Sequence, residues 1–130
     1  MAQLCTPHMK KVGYGSIFNM SSMSSVNKSP AISAYAASKA AINHMTANLA
    51  YDNGPEIRIN AVGPGAVRTG ALASALTAEI EERMLAHTPI KRLGEPEDIA
   101  GAVLHFTAPI SSWVSGQVLF VNGGGVQTLD

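Results

Sequence analysis

The order of segments along the chain predicts an α/β fold: helix, strand, helix, strand, helices, strand. Three short stretches, 16–21, 57–62 and 118–121, read as continuous buried strands, the pattern of a parallel sheet covered on both faces. Glycine and proline punctuate the boundaries at Gly13 and Gly15, Gly54-Pro55, Gly63-Pro64-Gly65 and Gly123-Gly124-Gly125.

Each element follows from local pattern. Residues 2–11 read as a helix with Leu4 and Met9 inward, and Pro7 is expected to kink it because it removes a backbone donor. After the turn at Gly13-Tyr14-Gly15, the 16–21 strand ends in hydroxyls. A polar loop at 24–33 holds Pro30, and Ser33 is placed to cap the next helix. That helix, 34–51, contains seven alanines, with Ala37, Ala41, Met45 and Leu49 along one face. Gly54-Pro55 stops it, and the 57–62 strand runs into Gly63-Pro64-Gly65. Residues 66–75 carry no clear period. Residues 77–87 read as a helix with Ile80, Met84 and Leu85 inward and three glutamates near its start, where the helix dipole favours them. Pro96 sits at the first position of a last helix, with Ile99, Ala102, Val103 and Phe106 at i, i+3, i+4 and i+7. Three parallel strands make a very small sheet, and at least one apolar edge is expected to stand unpaired.

Composition narrows the function classes. The chain has 130 residues, 46% hydrophobic and 14% charged, against ~25% charged in ordinary soluble domains. Nine basic residues balance nine acidic ones, and no cluster exceeds Lys10-Lys11 or Lys91-Arg92. There is thus no electrostatic case for a nucleic-acid partner or an anionic membrane surface. No apolar run approaches the ~20 residues of a spanning helix. A single cysteine, Cys5, fits a reducing compartment, so the chain is expected to be cytoplasmic. His8, His44, His87 and His105 have no spacing that builds a metal site, and no Gly-x-Ser-x-Gly elbow is present. Met20, Met23 and Met45 read as packing residues.

Tyr35 and Lys39 lie four apart on the long helix and share a face. A phenol, with an ordinary pKa near ~10, is a poor acid–base group at neutral pH, but a neighbouring ammonium favours the phenolate. Such a tyrosine exchanges a proton with an alcohol/ketone pair. Ser22 lies at the C-terminal end of the preceding strand, where α/β proteins place ligands, and its hydroxyl can polarise the same oxygen. A Tyr-x-x-x-Lys arises by chance in ~20% of chains this long, so spacing alone leaves an ordinary surface pair open. Gly63-Pro64-Gly65 admits a close ligand approach or a plain strand-end turn; Pro64 lacks the N–H that a phosphate loop uses. No helix follows Asn122-Gly123-Gly124-Gly125, which reads as a turn.

Taken together, these residues resemble the short-chain dehydrogenase/reductase family. The resemblance rests on Ser22 thirteen residues before Tyr35, on Tyr35-Ala36-Ala37-Ser38-Lys39-Ala40-Ala41, and on Arg58-Ile59-Asn60-Ala61-Val62-Gly63-Pro64-Gly65. Ser115-Gly116-Gln117 leading to Val121-Asn122-Gly123-Gly124 completes it, so it covers essentially the whole chain. His87-Thr88-Pro89-Ile90-Lys91-Arg92-Leu93-Gly94, Ser112-Trp113-Val114-Ser115-Gly116-Gln117 and Gly123-Gly124-Gly125-Val126-Gln127 are similar in detail to bacterial 7α-hydroxysteroid dehydrogenases and also to 3-oxoacyl-carrier-protein reductases.

The resemblance implies the C-terminal part of a Rossmann-like, doubly wound parallel sheet, about three strands with flanking helices. It implies that Tyr35 is the acid–base residue, that Lys39 holds the nicotinamide ribose, and that Ser22 orients the substrate oxygen. Pro64 and Gly65 would lie along the nicotinamide, with Val67 and Thr69 at its carboxamide. Residues 70–89 would cover a small alcohol or ketone substrate, the cofactor being NAD or NADP. Family members are commonly homo-oligomers. Asn122 departs from the family's usual Asp-Gly-Gly ending. The family's glycine-rich pyrophosphate turn, its Asn-Asn-Ala-Gly segment and its catalytic asparagine have no counterpart in residues 1–130. The expectation is a partial domain, the catalytic and substrate half. On that expectation the 130-residue chain alone binds NAD(H) weakly and turns over no alcohol.

Overall fold

A computed structural model describes residues 2–74 and 76–125. Met1, Ala75 and residues 126–130, with the Val126-Gln127 part of the last motif, lie outside the described residues. Strands β1 (Gly15–Met20), β2 (Ile57–Pro64) and β3 (Val118–Val121) form one parallel sheet in the order β1-β2-β3. Helices α1 (Ala2–Val12), α2 (Ser33–Asn53), α3 (Gly70–Ala73), α4 (Ala78–Ala86) and α5 (Pro96–Thr107) complete it. The α/β reading and its three parallel strands are therefore the observed architecture.

β2 is the centre, with its first seven residues buried, as a strand covered on both faces must be. Ile57, Ile59 and Ala61 face α2; Val62 faces α5 and packs with Ile99 and Phe106 among Ala102, Val103, Val114 and Val121. Both crossovers step the same way across the sheet while α2 and α5 lie on opposite faces. The two connections therefore have opposite hand, against the strong right-handed preference of such units. The result places α2 and α5 on either side of the C-terminal ends of β1 and β2.

Several local expectations are corrected. Leu4 is 77% exposed rather than inward, whereas half-buried Met9 packs on Gly15. β1 is an edge strand rather than a fully buried one, so Phe18 and Met20 stay partly exposed where β2 lies on only one side. The cap of α2 is Ile32, without a side-chain bond, and Ser33 is already helical. The Ala37–Ala41–Met45 face of α2 points outward, with Met45 47% exposed. Polar Lys39, Asn43 and Thr46 turn inward instead.

The later elements match their patterns. Thr77 caps α4 by accepting the Ile80 amide at 3.2 Å. Glu95 and Asp98 form a reciprocal capping box on α5, with Pro96 at its start. The unreadable 66–75 stretch contains the one-turn helix α3, capped by Thr69.

The candidate active site

β1 delivers Ser21 and Ser22 to the end of the sheet, where the Ser21 amide donates to the Val62 carbonyl at 2.7 Å. Ser22 then caps a single 3-10 turn, Met23–Ser25, with its Oγ accepting the Ser24 amide at 3.2 Å. That bond occupies an acceptor lone pair and leaves the hydroxyl proton of Ser22 to be donated into the cleft.

Tyr35 lies in the first turn of α2, 49% exposed, and its hydroxyl has no hydrogen-bond partner among the described residues. One turn on, Lys39 Nζ stands 5.7 Å from the Tyr35 ring centroid and donates to the Met20 carbonyl at 3.1 Å. The strand end thus holds the ammonium beside the phenol, an arrangement that a cation and an aromatic face also favour.

All seven residues nominated from sequence line one cleft of about 450 Å³: Ser22, Tyr35, Lys39, Pro64, Gly65, Val67 and Thr69. Met20, Ser21, Pro96 and Ile99 complete its walls and were not nominated as site residues. Ile99 carries a helical core signal that hides its second role, and Met20 reads as packing. Only their position at strand or helix ends marks them.

The opposite wall is built on the segment after β2. Val67 pairs with Gly94 as an isolated parallel bridge, the Arg68 amide donates to Gly94 at 2.8 Å, and Gly94 returns a bond to Ala66 at 2.9 Å. The Arg68 guanidinium reaches Glu81 on α4 at 3.1 Å and Glu95 at the start of α5 at 3.3 Å. Glu81 first, then Glu95, holds Arg68 further toward its charged form. Thr69 Oγ accepts the Leu72 amide at 3.3 Å. Behind this wall, the bidentate Arg92 contact, and then the Glu95 amide, holds the Asp98 carboxyl well below the usual carboxylate range.

Of the two readings left open for Gly63-Pro64-Gly65, a structural cause is visible within the chain. A Cβ on Gly63 would meet the Phe120 ring at 2.5 Å, and one on Gly65 would meet Asn122 at 2.8 Å. The close approach is made by β3 and the residue after it. Arg58 and Asn60 of the same motif are likewise internal: Arg58 donates to Ser111 and Val114, and Asn60 to Val114 at 2.9 Å while accepting the Gln117 amide at 3.0 Å. They pin the stretch that leads into β3. Among the described residues no three His, Cys, Asp or Glu side chains gather as metal ligands, and no helix is long and apolar enough to cross a membrane.

Comparison with known proteins bears on the family and the fold. A family model described as enoyl-(acyl carrier protein) reductase matches residues 1–125. The chain is 51% identical to the 7alpha-hydroxysteroid dehydrogenase of Escherichia coli K12, an alignment covering 100% of this chain and 51% of that protein. It is 44% identical to the 7alpha-hydroxysteroid dehydrogenase of Clostridium sardiniense, covering 95% of this chain and 47% of the relative. A solved 7 alpha-hydroxysteroid dehydrogenase complexed with NADH and 7-oxo glycochenodeoxycholic acid superposes with a TM-score of 0.94 at 52% identity, covering 99% of this chain and 51% of the other. A 3-oxoacyl-[acyl-carrier protein] reductase from Brucella melitensis superposes at 0.90 with 36% identity, covering 98% and 48%. The chain spans about half the length of the curated relatives it matches.

Proposed function

The chain belongs to the short-chain dehydrogenase/reductase family, and from that premise we propose that its cleft carries the acid–base half of a nicotinamide-dependent oxidation of a secondary alcohol. The observation that carries the reading is the convergence of Ser22, Tyr35, Lys39, Pro64, Gly65, Val67 and Thr69 on one cleft. Those side chains fit a nicotinamide dinucleotide. Lys39 is the cation within reach of the cleft for ribose hydroxyls, Thr69 keeps its hydroxyl proton for a carboxamide, and Pro64 and Gly65 offer a flat wall. When NAD or NADP is bound it supplies the hydride acceptor. Ser22 donates to the substrate oxygen and Tyr35 takes the hydroxyl proton, or returns it in the reverse direction. Lys39 stabilises the phenolate that accepts this proton and that the reverse transfer regenerates.

The substrate is a hydroxysteroid of the 7α-hydroxy bile-acid type. Apolar Met20, Val67, Pro96 and Ile99 around the polar trio suit a bulky apolar alcohol, and the E. coli relative and the steroid-bound structure support that choice. A homo-oligomer is part of the same proposal, supported by the exposed small-residue face of α2. So is a cytoplasmic place, supported by the free thiol of Cys5.

The test is oxidation of a 7α-hydroxy bile acid with NAD+ or NADP+, followed as reduced cofactor. Tyr35→Phe is expected to lower turnover at least ~100-fold; turnover that survives the substitution overturns the reading. A second reading is that these residues act only beside a complementary nucleotide-binding segment. It is favoured by the outer edge of β1, which has no strand partner among the described residues, and by half-exposed Phe18 and Met20 beside it. Steady turnover by the 130-residue chain alone overturns that second reading.

A further inference from the structure

The inward face of α2 carries a polar stripe, of which Thr46 is buried and Lys39 and Asn43 are half-buried, where a globular helix ordinarily presents an apolar one. Lys39, Asn43 and Thr46 follow one another down a single face at i, i+4 and i+7. Each reaches β1 or the loop beyond it. Thr46, 0% exposed, accepts the Asn19 side-chain amide at 3.0 Å, and Lys39 donates to the Met20 carbonyl.

Asn43, between them, uses both ends of its amide. Its Oδ1 accepts the Ser21 hydroxyl, and its Nδ2 donates to Ser25 Oγ at 2.7 Å. Ser25 in turn donates from its hydroxyl to the Ser22 carbonyl at 2.6 Å, and its N–H reaches the same oxygen at 3.0 Å. One side chain of α2 therefore grips the loop on both sides of Ser22. Only an amide meets both demands. The single Ser25 proton is already given to Ser22, so the partner of Ser25 must donate, while the partner of Ser21 accepts.

We infer that Asn43 is a positioning residue for the site: it fixes the separation and rotation between Ser22 and the Tyr35–Lys39 turn of α2. The inference rests on the reading of those three residues as the acid–base site. Asn43 touches none of the reacting groups; it acts through Ser21 and Ser25. Its removal leaves both partners with another acceptor, Lys39 O at 3.3 Å for Ser21 and Ser22 O for Ser25, so the loss is local.

Amide hydrogen exchange on the 130-residue chain tests this without requiring turnover. The Ser24 and Ser25 amides, bonded to Ser22 Oγ and Ser22 O, report on the loop; the Ala61 amide, bonded to Gln117, reports on the sheet. Asn43→Ala should speed exchange at Ser24 and Ser25 tenfold or more and leave Ala61 at its wild-type rate. Asn43→Asp, which keeps only the acceptor end, should match it at Ser25. Adding Asn43→Ala to Ser25→Ala should speed exchange by less than Asn43→Ala does alone, because the Asn43–Ser25 bond is already gone and only the Ser21 bond is left to lose. Unchanged Ser24 and Ser25 rates, an equal rise at Ala61, or multiplying effects in the double variant each overturn the inference. In turnover, Asn43→Ala should lower kcat and leave the nucleotide KM in place, and the reverse split overturns it too. Wild-type turnover by Tyr35→Phe would instead sink the acid–base reading, with the exchange result unaffected.

Discussion

On the α2 side of the cleft, Ser21, Ser22 and Thr46 are buried and joined by neutral hydrogen bonds to Asn19, Asn43 and Ser25. On the opposite side, the Val67–Thr69 segment is tied to α4 and α5 by the exposed pairs of Arg68 with Glu81 and Glu95. Both walls are polar, yet their energetics differ in kind. A buried neutral bond costs its full desolvation penalty when one partner is removed. An exposed ion pair contributes little and is screened by salt. The residues assigned proton chemistry stand on the first wall, where geometry is over-determined. The residues that would cover a substrate hang from the second, which can open at small cost.

The sharpest way to break this contrast is to compare chemistry on the two walls. Lys39→Met and Ser22→Ala are each expected to lower alcohol turnover by ~10²-fold or more, as loss of a positioned proton-transfer or cationic group does. Arg68→Gln should change turnover far less. Kinetics of the three variants side by side measure the difference, and equal losses would erase it.

Stability gives the next largest effect. Thr46→Val keeps the shape but strands the Asn19 amide, and about 1–3 kcal/mol of unfolding free energy should be lost in urea titration. A Thr46→Val protein as stable as wild type would mean that the inward stripe of α2 is not what holds this wall.

The stripe also marks the limit of what the sequence could reveal. β2 was legible because its short run from Ile57 to Val62 is bounded by Gly54-Pro55 and Gly63-Pro64-Gly65, and α5 because Ile99, Ala102, Val103 and Phe106 keep a helical period. For α2 the usual rule misled. Its alanine-rich face reads as the buried one, but the helix packs with Lys39, Asn43 and Thr46 inward because the strand end presents the Met20 carbonyl, the Ser21 hydroxyl and the Asn19 side-chain amide. The Tyr35–Lys39 pair and Ser22 were visible as spacing; Asn43 was not, since its partners are set by tertiary contact across 18 and 22 positions. Nor does any local pattern encode that the two crossovers differ in hand.

A smaller effect separates the walls by acid. The Asp98 carboxyl is lowered by Arg92, so its folded-state pKa lies below that of the unfolded chain, ~3.9. Such a group contributes stability above the unfolded pKa and loses it as pH falls toward the folded value. Wild-type thermal stability should therefore fall between about pH 5 and pH 2 more steeply than that of Asp98→Asn, by the linkage of this one proton. Parallel curves would show that the Arg92–Asp98 contact does not differ between folded and unfolded chains.

The smallest effect is expected at Arg68, and it distinguishes the walls most directly. Its partners lie on two separate helices, so a guanidinium 45% exposed joins α4 to α5 across the segment that carries Val67 and Thr69. At 0.5 M salt the screening length drops to about 4 Å, close to the contact distance itself. Salt should then speed exchange of the Leu72 and Ile80 amides, bonded to the Thr69 and Thr77 caps of α3 and α4, while Ser24 and Ser25 keep their low-salt rates. Arg68→Gln should reproduce the salt effect and abolish any further response to salt. If exchange at Ser24 responds equally, the two walls share one mode of opening, and the division of labour between a fixed chemical wall and a movable covering wall does not hold.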